Sequence, residues 1–428
     1  MWTEKQLTFD AKNHDLDDNY NFSPDGQWLV YDIRDEGGIG DNPAIEKVNV
    51  KTGEMVTVYE VPNQAPYGPG CGAMNYHPTE NKLVFIHGLF NCTPENPYQQ
   101  WHRFGMIIDE SNPDVPIIMD ARDIVKPTTP GALSGGTHSH RWSADGQWIG
   151  FTYNDAHLAT VEQKTGKKVN LRTVGVSHNT GPVSVEKLPS GENFDGAWFS
   201  ALIVKVVPDP KPGSDQIIRA DGDRWLGTYG YKITDGRMQQ ARTFLGHVKE
   251  KNGNTVKEVF VVDVPKRIDE PSEILALQGT DLYIPRGATQ RRLTYTTEWK
   301  HAGVARVTSS ENGSIISFLA KDAAGRYQIY FIPPTGGELA QVTHHQTTIQ
   351  LEGGLRWQPG KNAISYLLDN TLMLYSVSEK KSYAISKQHK MTPFNLAWSH
   401  DGRVLAYNKI LPTGGQNYKQ VFVLRKSN

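Results

Sequence analysis

The chain reads as an all-β protein, a seven-bladed β-propeller of the TolB or WD40 kind, with eight blades as the alternative. Three observations predict this: a repeated hairpin turn, a second recurring signature ahead of it, and a composition rich in turn residues. The repeat is an aromatic residue followed by Ser-Pro-Asp-Gly, two residues and an apolar strand. It stands as Phe22-Ser-Pro-Asp-Gly-Gln-Trp-Leu-Val-Tyr31, as Tyr76-His-Pro-Thr-Glu-Asn-Lys-Leu-Val-Phe85 and as Trp142 to Phe151. It returns in Ser309 to Phe318, Trp357 to Tyr366 and Trp398 to Tyr407. Turn residues between alternating apolar runs mark hairpins, and self-similarity at about 40 to 50 residues marks propeller blades of four antiparallel strands. The second signature is Gln6-Leu-Thr8, Arg292-Leu-Thr294 and Gln341-Val-Thr343. Its first copy precedes any complete blade, so the N-terminal strand should complete the blade ending in Gln420 to Leu424, closing the ring and removing its free edges. Forty glycines, 25 prolines and ten tryptophans suit such a fold.

In order, the first unit continues through Ile45 to Val50, a turn at Lys51-Thr-Gly-Glu54, and Met55 to Tyr59. Thr165-Gly166 and Thr335-Gly-Gly337 read as the same second turn. The long gap between Ser143 and Ser310 holds one degenerate blade, with Trp198 to Val207 and Val256 to Val264 as strands and 208–238 as an irregular insertion. Residues 1–428 then form a single domain. Lys plus Arg is 45 against 46 for Asp plus Glu, which argues against a nucleic-acid partner. No apolar run is long enough to cross a bilayer, so a soluble protein without membrane insertion is expected, cytoplasmic or periplasmic, with no signal peptide visible. Cys71 and Cys92 read as free thiols, a disulfide being the alternative.

Chemistry concentrates in Gly135-Gly-Thr-His-Ser-His-Arg-Trp142 and the strand after it. Side chains two apart on a strand share a face, so His138 and His140 should point the same way, with Asn154, Asp155 and His157 at the same end of the hairpin. His14, His87 and the pair His344-His345 fall by spacing on that same top face. A His-x-His pair with a third ligand from His87 or His157 could hold a divalent metal such as Zn, Ca or Mn, although no cofactor is required. Packing at a crowded channel is the alternative for each histidine. Within the insertion, Arg219, Arg224, Trp225, Tyr229 and Tyr231 offer guanidinium groups for carboxylates and rings for sugars.

Gly135-Gly-Thr-His-Ser-His140, Phe151-Thr-Tyr-Asn-Asp155, Phe85-Ile-His-Gly88, Pro212-Gly-Ser-Asp215 with Arg219, Arg286-Gly287 and Gln290-Arg-Arg-Leu-Thr294 together resemble the YidR-like family of bacterial TolB-type propellers. More distantly the chain is similar to the seven-bladed ulvan lyases and the oligogalacturonate lyases, which cleave uronate polysaccharides. The resemblance implies a carbohydrate-active propeller, a polysaccharide lyase acting by β-elimination, with a non-catalytic protein- or glycan-binding scaffold as the alternative. Its catalytic roles would fall on His138, His157 and Arg219. The tyrosine role falls to Tyr153, Tyr229 or Tyr231, and Tyr229 is preferred, because Ala201 to Val207 offers none. His87, His140, Asn154, Arg224, Trp225 and Tyr231 would then contact the substrate. The partner implied is an acidic oligo- or polysaccharide, or a protein on the top face.

Overall fold

A computed structural model describes residues 2–17, 20–35, 38–274 and 280–426. Seven small antiparallel sheets form the ring. Blade 1 is Trp28–Asp32, Ala44–Asn49 and Met55–Glu60, and its innermost strand is reduced to the bridges Asp15↔Asp32 and Phe22↔Leu29. Blade 2 begins at Cys71–Tyr76 and blade 3 at Gly135–Trp142. Blades 4 and 5 begin at Ile217–Trp225 and Val304–Ser309. The inner strand of blade 6 is split into Ile349–Gln350 and Arg356–Trp357, and blade 7 begins at Phe394–Trp398. Ring closure is as expected: Trp2–Gln6 pairs antiparallel with Gln416–Lys426, from Trp2↔Lys426 to Gln6↔Phe422. Seven blades, not eight, complete the circle.

Local chemistry explains why these repeats fold alike. In the Ser-x-Asp-Gly turns, the Ser143 hydroxyl donates to Asp145 at 2.5 Å and accepts the Trp148 N–H at 3.0 Å. Ser23, Ser310 and Ser399 repeat the pattern, with asparagine replacing aspartate in Asn312. The second signature is a strand terminator. Thr8, Thr294 and Thr343 each accept, on the side-chain oxygen, an N–H of the neighbouring strand at 2.8 to 2.9 Å. Gln6, Arg292 and Gln341 each donate to the carbonyl of the threonine two residues on, at 2.7 to 2.8 Å. The hydroxyl stands in for a strand carbonyl, so the outer strand ends without an orphaned buried donor.

Three local readings are corrected. The stretch 208–238 is not an irregular insertion throughout, because it contains Ile217–Trp225, the inner strand of blade 4, followed by the short hairpin Tyr231–Lys232 with Met238–Gln239. Phe199–Leu202 is the outer strand of blade 3 rather than part of blade 4. Thr165-Gly166 ends an α-helix, Ala156–Thr165, whose N-terminus is capped by the Asp155 carboxylate accepting from Leu158 N–H and whose C-terminus is closed by Gly166 at φ 67°. Among the described residues no helix is long and apolar enough to cross a membrane, and both cysteines are free thiols.

Candidate functional site

Inner strands start at one face of the ring, the entry face, and end on the other, at a Ser-x-Asp-Gly turn in blades 3 and 7 and at its Ser-x-Asn-Gly counterpart in blade 5. Three residues before each closing aromatic or serine stands a residue in the left-handed region: Ala73, Ser139, Gly222, Arg306, Gly354 and Asn395, with φ between 53° and 66° for Ser139, Gly222, Gly354 and the other three. The register shifts there. This bulge breaks the two-residue alternation, so His138 and His140 do not share partners.

His138 is buried in the entry half of the channel. Its Nδ1 lies 3.1 Å from Arg103 Nη1 and its Nε2 3.2 Å from Asn154 Oδ1. Since the guanidinium can only donate and the amide oxygen only accept, Nδ1 carries the lone pair and Nε2 the proton. Burial, then Arg103 and Arg172, hold the imidazole well below its usual range, so it is neutral. Asn154 Oδ1 also accepts from Arg172 Nε at 3.1 Å, and Arg172 reaches Gln100 Oε1 at 3.1 Å. Tyr98 lies beside Arg103, whose guanidinium carbon is 5.1 Å from the ring centroid, and burial pushes its hydroxyl up to about 12. That buried hydroxyl has no well-aligned hydrogen-bond partner among the described residues.

The charge balance around this group is uneven. Arg34 is enclosed by carboxylates, with Asp32 at 3.0 Å, Asp15 at 3.6 Å and Asp17 in contact. Arg219 pairs with Asp221 at 2.6 Å, and Asp221 also receives His247 at 3.2 Å. Arg103 and Arg172, by contrast, form no ion pair among the described residues; their direct partners are neutral, and Asp17 and Asp221 act on them only from a distance. Burial, then Arg219 and Arg103, push Arg172 down to about 10, and burial lowers Arg103 as well. Both stay charged at neutral pH, and desolvated cations without a direct ion pair are costly.

The structure brings His138 and Asn154 together and sets Arg219 near enough to Arg172 for mutual repulsion. It separates the rest. His157 sits in the first turn of the helix, half-buried, its Nε2 without a partner among the described residues. His140 bonds Thr137 Oγ1 at 2.9 Å, and burial, then Arg103, brings it to about 3. His87 is fully buried, linked to the Gly88 carbonyl at 2.6 Å and the Tyr59 hydroxyl at 3.0 Å, and burial brings it to about 4. Tyr153 donates to Asp155 at 2.9 Å inside blade 3. Tyr229 is exposed on the opposite face: the neighbouring Thr228 N–H bonds the carbonyl of Glu311, in the turn of blade 5. Arg224 and Trp225 line the channel on that opposite side, and Tyr231 is buried between Asp263 and Arg291. Among the described residues, no group of three or more His, Cys, Asp or Glu side chains could hold a metal ion.

Tyr98, Arg103 and Arg172 went unnoticed in the sequence. Their one shared signal is position: each lies just before, or at the start of, a third strand, Arg103–Asp109 or Thr173–His178, where the chain re-enters from the entry face. The motif glycine Gly136 lets that loop approach, since a Cβ there would stand 2.0 Å from the Gln100 carbonyl oxygen.

Residues 70–192 match the model of a family described as a protein of unknown function, DUF3748. Among solved structures, the polysaccharide lyase Uly1 superposes with a TM-score of 0.50 at 10% identity, over 93% of this chain and 87% of that one. A puromycin hydrolase mutant, S511A, superposes with a TM-score of 0.52 at 11% identity over 90% of this chain, which spans about half, 49%, of that structure. At such identities the likeness is one of fold. The uncharacterized protein YidR of Escherichia coli strain K12 is 35% identical over 431 residues, 96% of this chain and 95% of YidR. Identity at that level along nearly the whole length of both proteins means that the chain belongs to the YidR family of β-propellers.

Proposed function

We propose that this propeller is carbohydrate-active, binding a uronate-containing glycan at its entry face and cleaving it by β-elimination. The observation that carries this reading is the pair Arg103 and Arg172: two desolvated guanidinium groups that meet around His138 and Asn154 and have no direct ion pair among the described residues. A uronate carboxylate would supply the missing charge, and guanidinium forks match it. The fold likeness to a polysaccharide lyase is consistent with it.

The proton inventory suits the reaction. When a substrate carboxylate takes Arg103, the Nδ1 lone pair of His138 is released. It can then accept the proton from the carbon next to the carboxylate. The electron pair left behind forms the double bond, and the bond to the leaving glycosidic oxygen breaks. The Tyr98 hydroxyl, beside Arg103, would return a proton to that oxygen. Arg219, paired with Asp221 but partly exposed, would hold a neighbouring acidic sugar.

Incubation with a panel of uronate polysaccharides, followed by ultraviolet absorbance of the unsaturated product, tests this. Cleavage is expected for the wild type and its loss for His138→Ala, with binding retained. Binding without cleavage would instead favour a glycan-binding scaffold, a reading supported by the full occupancy of both His138 nitrogens. Failure to bind any uronate polymer would remove both.

A further inference from the structure

A chamber of about 290 Å³ opens at the other mouth of the channel, on the face of the Ser-x-Asp-Gly turns. The ends of the inner strands build it. In blades 3, 4 and 6 these read Arg141-Trp142, Arg224-Trp225 and Arg356-Trp357, each two residues after a left-handed position: Ser139, Gly222 and Gly354. The same register carries Asn75, Thr308 and Ala397 in blades 2, 5 and 7, and these line the chamber too. The fold therefore does not require arginine there, yet three blades independently bring a guanidinium to one space.

The tryptophans already have structural work. Each indole N–H reaches back to the preceding blade: Trp142 to the Asn75 carbonyl at 3.3 Å, Trp225 to the Arg141 carbonyl at 2.9 Å, Trp357 to Ser317 at 3.0 Å and Trp398 to Ser365 at 3.0 Å. Arg356 also spans blades, donating to the Leu396 carbonyl at 2.9 Å, but Arg141 is held far more loosely. Arg141 is 6% exposed, and its hydrogen bonds are two long ones, both 3.4 Å, to the carbonyls of Ser139 and Asp223. No ion pair to a carboxylate is formed by Arg141 among the described residues, and burial, then Arg224, bring it to about 9. It remains a cation at neutral pH. The described acidic residue on the wall, Glu311, is exposed and already accepts the Gly360 N–H at 3.0 Å. A concave space with guanidinium groups converging on it is a ready anion site.

We propose that this chamber binds a compact polyanion, a small molecule carrying two or more carboxylate or phosphate groups, through Arg141 with Arg224 and Arg356. The inference is independent of the glycan reading at the entry face. Isothermal titration calorimetry with citrate, pyrophosphate and, as monoanion control, acetate tests it on the full chain. Saturable binding of at least one polyanion is expected, at least tenfold tighter than acetate, and the preferred arm separates carboxylate from phosphate chemistry. Arg141→Met should weaken it tenfold or more, and Arg267→Met, an exposed arginine outside the chamber lining, should leave it unchanged. Arg356→Gln provides a second loss variant should Arg141→Met fail to fold. No saturable binding at millimolar concentration, equal binding of acetate, or wild-type affinity in both loss variants would overturn the proposal.

Discussion

At His138 two demands meet: the imidazole is stripped of water, and two arginines act on it, Arg103 at Nδ1 and Arg172 through Asn154 at Nε2. Arg103 and Arg172 are the expensive members of this group, because they are desolvated and form no direct ion pair among the described residues. Arg103→Met and Arg172→Met should therefore raise thermal stability, by roughly 1 to 3 kcal/mol, while weakening binding of acidic glycans at least tenfold. Calorimetric unfolding and titration of each variant measure the two effects, and a variant that loses stability would mean that its charge is already compensated. His138 and Asn154 were legible in the sequence because they sit in a motif on one hairpin. Arg103, Arg172 and Tyr98 were not, since nothing near them in sequence marks them and their meeting depends on blades 2 and 3 lying side by side.

The elements place that group. The loop carrying Tyr98, Gln100 and Arg103 packs on the start of the blade 3 inner strand, and Gly136 leaves room for the Gln100 carbonyl. Gly136→Ala should push the loop outward, costing roughly 1 to 3 kcal/mol and separating Arg103 from His138. Loss of glycan binding with the blades still folded, seen by circular dichroism and titration together, is the expected outcome; unchanged binding would mean that the loop adapts. At this scale the turns and the terminating threonines were readable in advance, because their hydrogen bonds run between residues a few positions apart or across one hairpin. The bulge at Ser139 was not, and it undid the expectation that His138 and His140 share a face. Within 208–238, the inner strand of blade 4 went unread because Arg219, Asp221 and Asp223 interrupt its alternation, and so Tyr229 was assigned to the wrong mouth of the channel.

For the whole ring, the many buried histidines dominate the response to acid over two opposing carboxylates, Asp32 and Asp120, which burial pushes up to about 7. His87 and His140 have folded values of about 4 and about 3, and His138 is also lowered, against about 6.5 in an unfolded chain. Between about 6.5 and 4 the unfolded state binds more protons than the folded one, so stability rises with pH there and is lost on acidification, on the order of 1 kcal/mol per histidine per pH unit. Melting temperatures measured from pH 7.5 down to 5 should fall steadily, and less steeply in His87→Gln. A flat profile would mean that these imidazoles are not held neutral. The sequence by itself determined the architecture: repeated turns, a repeated strand terminator and an N-terminal strand with only one open edge to join leave a closed ring as the arrangement that satisfies every strand. Only the tertiary structure decided which charges meet inside it, because packing neighbouring blades sets the distance between guanidinium and imidazole, and that distance is written in no single segment of the chain.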